Sequence, residues 1–421
     1  MFVISSIMST RTNDGAASSS VQCLVAAGLR ESILLPPSPG YAKRIQSYWC
    51  SSAKLRPTYI FQPRSTSEVA VAVKALVDAG QVFAIRTGGH MNWAGSNNIE
   101  NGTTIHLGLL KDTNYDVATD IADIGPGAKW KDVYEELEKH GRVVAGGREV
   151  EVGVGGFLFG GGNTFYGLRH GFACDNIVTY EVVLADGRIV TADNVGEHQD
   201  LFQVLKGGGN NFGVVTKFTL KTLPSSPIWG GFAVHTMEAS SLESFISLQG
   251  RFQAALLLHA REIWAKPLHC LAITALPAAV EVIADFTASA PEDRDSTLNL
   301  TVCHIPRLGG AAVVSICTNV VGVVNPPAFA RFAEIPKVMN NLKMTTLNIW
   351  YTLCFKNDVS IIGKAAELYR VLAKQVEEKV ADGDFTAHLS LQPIPRLYSQ
   401  RSVAAGGNMF GLERVGWSSG P

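Results

Sequence analysis

The sequence predicts an α+β chain of two domains. Three observations carry this. The chain has 421 residues, more than one ordinary hydrophobic core accommodates. Its three glycine-rich turns precede Pro224, after which the character changes. On both sides of that point, apolar strand-like runs alternate with segments of helical period.

The elements follow in order. "RPTYIFQPRSTSEVAVAVKALVDAG" reads as a short strand and then a helix. Ser65 and Glu68 fit a capping box, Gly80 fits the stop, and Val69, Val73 and Leu76 share one face. "QVFAIRTGGH" is a second strand that runs into a glycine turn, giving a βαβ-like opening. "IADIGPGAKWKDVYEELEKHG" is a strand, a Gly-Pro-Gly turn and a helix with Trp130, Val133 and Leu137 on one face. "IVTYEVVLADGRIVTA" reads as two strands around Asp186-Gly187, a two-residue hairpin signal. "KGGGNNFGVVTKFTLKTLP" is a glycine cluster feeding an alternating strand, and "VSIIGKAAELYRVLAKQVEEKV" is a later helical stretch.

Composition narrows the function. Hydrophobic residues make up 46% and charged residues 17%, which fits a well-buried globular protein. The net charge is -1, and no basic stripe exists to hold nucleic acid. A small molecule is the expected partner. The seven cysteines form no metal-spaced cluster. Cys23 and Cys50 could pair if the protein is exported, and seven small buried apolar residues is the plainer reading. Residues 1–20 look disordered and carry no signal-peptide pattern, which favours a cytoplasmic location. Asn101 and Asn299 head glycosylation sequons that would count only in a secreted protein. The uncharged stretch from Leu308 to Ala330 contains Ser, Thr, Asn and Pro and is β-branched. It reads as sheet strands, so no membrane span is expected.

Several catalytic patterns are absent. "VGVGGFLFGGG" is not GxGxxG, and there is no Walker A, GxSxG, HExxH or EF-hand pattern. Three glycine-rich turns at strand ends remain. Such turns let backbone N–H groups approach an anionic ligand without obstruction by Cβ atoms.

Together the three turns resemble one family. "RTGGHMNWAG", "VGVGGFLFGGGNTFYGLRHGFACDNIVTYEVVLADG" and "LFQVLKGGGNNFGVVTKFTLKT" are similar to the flavin-binding domain of the berberine-bridge-enzyme-like oxidoreductases. These belong to the vanillyl-alcohol-oxidase class with a PCMH-type FAD-binding domain. "GFACDNIV" is closest to the fungal branch. "NPPAFARFAEIPKV" and "LSLQPIPRLYSQRSVAAGGNMFGL" resemble its substrate domain.

The resemblance implies an FAD-binding domain of two α/β subdomains over 21–225. It also implies a substrate domain over 226–413, an antiparallel sheet covered by helices. Residues 414–421 stand where the family's closing segment would begin, and the segment from Arg251 to Phe286 fits the family poorly.

It implies roles as well. His90 holds the position that bonds covalently to the 8α-methyl of FAD. Glu149 stands where many relatives carry a second linking cysteine, so a single link is expected; Cys174 resembles a packing residue. Arg86, Thr87, Gly88, Gly89 and Gly95 belong to the first FAD-binding turn. Val152, Gly153, Gly156, Gly160, Gly161 and Gly162 belong to the second, with Asn176 beyond it. Gly213, Val214 and Val215 fall on the adenine side. Val152 holds the oxygen-gating position, where valine accompanies oxidase behaviour. Tyr351 is the candidate catalytic base, and Gln392, Tyr166 and His170 are candidates near the substrate. No metal is expected.

The implied function is an FAD-dependent oxidase of secondary metabolism. Hydride would pass from a small natural product or alcohol to the flavin, with dioxygen as reoxidant. A non-redox flavin-containing cyclase or isomerase, and a truncated inactive paralog, are the alternatives.

Overall fold

The computed structural model describes residues 21–236, 286, 292–305, 310–330, 339–340, 342–345, 387–391, 396–407 and 409. Residues 1–20, most of 251–286, the helical stretch from 359 to 380, Tyr351, Gln392 and 414–421 lie outside the described residues. The chain divides into two compact units, Met1–Ser225 with Ser399–Pro421, and Ser226–Tyr398. The described residues from Ser399 onward group with the first unit.

The first unit holds two sheets. Strands β1 (Ile33–Leu34), β2 (Tyr59–Phe61), β3 (Phe83–Arg86) and β4 (Thr103–His106) form one sheet in the order β1-β2-β4-β3. β2 and β3 both run parallel to β4. The other sheet is antiparallel. It comprises β5 (Thr113–Asp116), β6 (Ile121–Ile124), β8 (Ile177–Val183), β9 (Ile189–Ala192) and β10 (Val214–Pro224), with β7 (Arg142–Val144) also paired to β10.

Helix α1 (Pro39–Gln46) precedes β2. Helix α2 (Thr66–Asp78) packs against residues of both sheets. Its Val69, Val73 and Leu76 join Tyr59, Phe61, Ile105, Val183 and Val214 in one core. The expected helix signals operate, with one change. Glu68 N donates to Ser65 Oγ at 3.2 Å. The Glu68 carboxylate accepts from Arg64 N at 2.9 Å and from the Ser32 hydroxyl, rather than from Ser65 N. Gly80, at φ +61°, ends the helix in a Schellman pair, Gly80 N to Val77 O at 2.9 Å and Gln81 N to Leu76 O at 2.8 Å.

The β8–β9 hairpin differs from its expected two-residue loop. Leu184 and Arg188 close a three-residue loop through Leu184 N to Arg188 O at 2.9 Å. Gly187 supplies the left-handed residue at φ +84°, and Asp186 Oδ1 accepts from Arg188 N. This is the turn-plus-bulge closure, which uses one more residue than a two-residue turn.

Helices α3 (Trp130–Glu138), α4 (Val154–Phe159), α5 (Gly167–His170) and α6 (Gln199–Leu205) complete the unit before the boundary. Trp130, Val133 and Leu137 of α3 are buried, as their spacing predicts. Cys50 is a free thiol, so the possible Cys23–Cys50 disulfide is not formed; Cys23 packs against the core around α2 instead.

Helix α7 (Arg396–Ala404) carries the chain back to the first unit. From Ser399 on it is fastened by buried polar contacts. Ser402 Oγ donates to Asp175 Oδ1 at 3.0 Å. Lys206 Nζ donates to Ala405 O at 2.9 Å and sits 4.2 Å from the Phe202 ring centroid. Asp175 Oδ2 accepts from Phe172 N at 2.9 Å. Burial lowers the Lys206 pKa, and the nearby Asp175 charge opposes that pull.

The second unit is built on an antiparallel sheet in the order β14-β11-β13-β12-β16, with β15 also on β11. The strands are β11 (Ile228–Thr236), β12 (Ser296–Ile305), β13 (Gly310–Asn319), β14 (Met339–Asn340), β15 (Lys343–Thr345) and β16 (Ala387–Leu391). β13 covers Gly310–Asn319 of the uncharged stretch, which then continues as a turn and a 3-10 helix at Pro327–Phe329 rather than as strand; among the described residues no helix is long and apolar enough to cross a membrane. Trp229 and Phe286 flank Phe329 at ring-centroid distances of 6.0 and 5.6 Å. Asn299, head of the second sequon, is buried in β12, where no glycan fits; Asn101 is exposed.

Replacing Asp175 by alanine should cost about 3–5 kcal/mol, because it strips the buried Lys206 of its counter-charge and leaves Phe172 N and Ser402 Oγ without their acceptor. Urea unfolding followed by fluorescence checks this.

Candidate functional site

The first two glycine turns meet backbone to backbone. A Cβ on Gly88 would lie 2.6 Å from the Cα of Gly153, and one on Gly153 would lie 2.6 Å from the Cα of Gly88. No other residue type fits either position without moving main chain. The contact is buttressed from α3. Lys129 and Gly153 form an isolated antiparallel bridge, Trp130 N donates to Val152 O at 3.2 Å, and Lys131 N donates to Val150 O at 3.0 Å. Thr87 continues the interface, since a Cβ on Gly155 would meet its methyl at 2.8 Å.

Beside this contact the backbone faces open space. A Cβ on Gly156 would have only Thr87 Oγ1 near it, at 3.8 Å, and one on Gly95 would have nothing within 4 Å. Gly160 is exposed, whereas Gly161 and Gly162 are buried. The carbonyls of Gly161 and Gly162 accept from Cys174 N at 2.9 Å and Ala173 N at 2.8 Å. This ties the GGG run to the Ala173–Asn176 turn. The amide of Asn176 donates to His170 O and Phe172 O, both at 2.9 Å, so its donors brace that turn. The third cluster is attached through Gly209 N to Phe159 O at 3.4 Å. Gly213, at φ +147°, opens β10, and Val214 and Val215 bury their side chains.

His90 lies at the end of the first turn and is half-buried. Its imidazole stacks on the Trp49 indole, with centroids 5.0 Å apart and planes 19° apart. Burial pushes its pKa below the ordinary 6.5, against the opposing pull of Glu149, so the neutral ring is favoured at neutral pH. Lys129 and Glu151, whose side chains form an ion pair, also bear on its charge.

Arg86 acts from beneath the turn. Its guanidinium is buried, donates to Arg44 O at 2.6 Å and to Ser47 O and Oγ at 3.1 and 2.8 Å, and lies 3.7 Å from the Tyr48 ring centroid. A Cβ on Gly89 would strike its Nε at 2.7 Å. These bonds make Arg86 a strut between α1 and the turn. Its cross-strand partner His106 is buried and bonded through Nδ1 to Gln62 Nε2 at 2.8 Å. Burial, with Arg86 and Arg44 nearby, holds His106 down at about 3.

Tyr166 is buried, its phenol pushed up to about 12 chiefly by that burial, and its ring sits edge-on to His170. Cys174 is fully buried, and burial raises its thiol pKa. Among the described residues no group of His, Cys, Asp and Glu is placed to hold a metal. Trp49, Lys129 and Glu151 belong to no recognisable motif. Only the contacts with His90 mark them.

Residues 57–193 match the FAD binding domain family. The fold is shared with the carbohydrate oxidase from Microdochium nivale, at a TM-score of 0.60 and 24% identity over 78% of this chain and 62% of that one. It is shared also with berberine bridge enzyme in complex with (S)-reticuline, at 0.57 and 17% over 75% and 58%. Two fungal relatives are closer in sequence. The FAD-dependent monooxygenase drtC of Aspergillus calidoustus is 31% identical over 89% of this chain and 68% of its own. The FAD-dependent monooxygenase sdcF of Emericella nidulans is 32% identical over 91% and 76%. The chain belongs to the berberine-bridge-enzyme-like FAD-linked oxidoreductases.

The family's cofactor suits these residues. The wall at Gly88 and Gly153 is bare main chain, and at Gly156 and Gly95 a side chain would occupy open space that the backbone leaves. The chain spans 62% of the Microdochium nivale structure and 58% of berberine bridge enzyme.

Gly156→Ala should separate folding from flavin binding. Alanine is favoured over glycine in a helix, so stability should rise by about 0.5–1 kcal/mol, while flavin co-purifying with the protein falls. Thermal melts and the 450 nm absorbance read the two effects. His106 gives a pH signature. It is neutral in the fold and protonated in the unfolded chain below its ordinary 6.5. Stability should therefore fall as pH drops from 6.5 towards 3, by up to about 1.4 kcal/mol per pH unit. His106→Gln should flatten that slope in urea midpoints measured from pH 7 to 4.

Proposed function

We propose that this FAD-dependent oxidoreductase is an oxidase of fungal-type secondary metabolism whose flavin is bonded to His90. The observation that supports the reading most is the neutral, half-buried His90 imidazole beside the Gly88–Gly153 contact. Thr87 to His90 and Val152 to Gly156 hold FAD against bare backbone. When bound, FAD supplies a two-electron acceptor. Arg86 braces the turn from below, and Gly160 to Gly162 with Asn176 hold the second turn's continuation in shape. Tyr351 is the proposed base that takes a substrate proton, and Gln392 and Tyr166 are the proposed substrate-side residues.

The link to His90 exchanges one imidazole N–H and one methyl C–H for an N–C bond. The two protons and two electrons released leave with dioxygen as hydrogen peroxide. A neutral imidazole is the competent nucleophile, because protonation would occupy the lone pair that forms the bond. Glu149 at the second linking position supports a single bond. Val152 beside the contact supports reaction of the reduced cofactor with dioxygen. A small natural product or alcohol is the substrate class.

The names of drtC and sdcF favour a second reading, in which one oxygen atom enters the product. Turnover of an accepted substrate under ¹⁸O₂ separates the two: the oxidase reading expects unlabelled product and labelled peroxide, and monooxygenation expects labelled product. For the link, acid precipitation of the wild type should leave yellow protein in the pellet, and His90→Ala should release all flavin to the supernatant. Colour retained by His90→Ala would overturn the linkage.

A further inference from the structure

We infer that Trp49 is a positioning residue for His90, a flat wall that fixes the imidazole plane for bond formation to the flavin. This rests on the His90 linkage proposed above.

Trp49 is 55% exposed, so burial does not explain its place. It lies in a strap that runs from α1 across the glycine turn and touches it at three points. Arg86 bonds to Arg44 O and Ser47. Trp49 N donates to Gly89 O at 3.2 Å. Ser52 Oγ donates to Asn92 O at 2.5 Å. The first contact precedes His90 in the turn, the second is to its neighbour, and the third follows it, so indole and imidazole are carried by one braced assembly.

The stack has the geometry that such a role needs. With planes 19° apart, Trp49 lies against a face of the imidazole rather than against its edge. Both nitrogens and their in-plane lone pairs lie on that edge. Rotation of the imidazole about its Cβ–Cγ bond would break the stack, so the indole restricts the direction in which the nucleophilic lone pair points. Orientation of this kind raises the rate of bond formation without changing what binds. Lys129, Glu149 and Glu151 act on the charge of His90; among the contacts described, Trp49 bears on its plane.

The test compares wild type, Trp49→Phe, Trp49→Leu and His90→Ala, each produced without flavin and then mixed with FAD in air. Aliquots quenched in acid give the rate at which pellet-bound flavin fluorescence appears, and fluorescence quenching gives reversible FAD affinity. The expected result is attachment about tenfold slower in Trp49→Leu, within about threefold of wild type in Trp49→Phe, and FAD affinity within about threefold throughout. Leucine keeps apolar bulk and loses the flat face, so slowing that phenylalanine rescues is specific to stacking. Equal rates in wild type and Trp49→Leu, with no attachment in His90→Ala, would overturn the role of Trp49 and leave the linkage standing. Equal slowing in both Trp49 variants would overturn it too, as would a loss of affinity that accounts for the slowing. No acid-stable flavin in the wild type would overturn the linkage and this inference with it.

Discussion

The approach of Gly88 to Gly153 is the contact from which the site is built. Two stretches of main chain touch where any Cβ would intrude to 2.6 Å. Side chains have been removed from the meeting point so that two loops far apart in sequence can form one surface. Everything else nearby serves that surface. The Lys129–Gly153 bridge holds one loop from α3, and Arg86 holds the other from α1. His90 occupies the edge where main chain gives way to reactive side chain.

Charge around that edge is arranged by burial more than by pairing. The largest influence on His90 is desolvation, which favours the uncharged ring, and the nearby carboxylates only moderate it. His106, one strand away, is an extreme of the same effect. The Arg86 cation near His106 is supported by backbone carbonyls, a hydroxyl and the face of Tyr48 rather than by a carboxylate. A carboxylate there would pull a proton onto His106. Uncharged acceptors hold the guanidinium without doing so.

Much of this was legible in the residues, and the limit falls at tertiary distance. Ser65 and Gly80 marked a helix because capping and left-handed termination are local chemistry. Trp130, Val133 and Leu137 marked a buried face because helical period is local too. The glycine runs announced bare backbone, yet no local rule pairs Gly88 with Gly153, which lie on different loops. The Asp186-Gly187 hairpin shows a finer limit: the dipeptide identified the turn, but the bulge that sets its length depends on how Leu184 pairs with Arg188. Trp49 was silent, since a single exposed aromatic has no period and no motif, and only its stack on His90 gives it meaning. Asn176 donates to backbone carbonyls within the protein, and Arg86 donates to backbone carbonyls and the Ser47 hydroxyl.

The fastening of α7 to the first unit has a consequence for how the molecule is made. Ser402 and Asp175 are 227 residues apart, and Ala405 and Lys206 are 199 apart. At synthesis rates of about 5–20 residues per second, the ribosome delivers Ser402 about 10–45 s after Asp175. Through that interval Lys206 has neither its carbonyl partner nor the cover of the returning helix. The first unit to emerge is therefore among the last to be sealed, and a chaperone meeting the nascent chain would find its exposed seam around the Ala173–Asn176 turn.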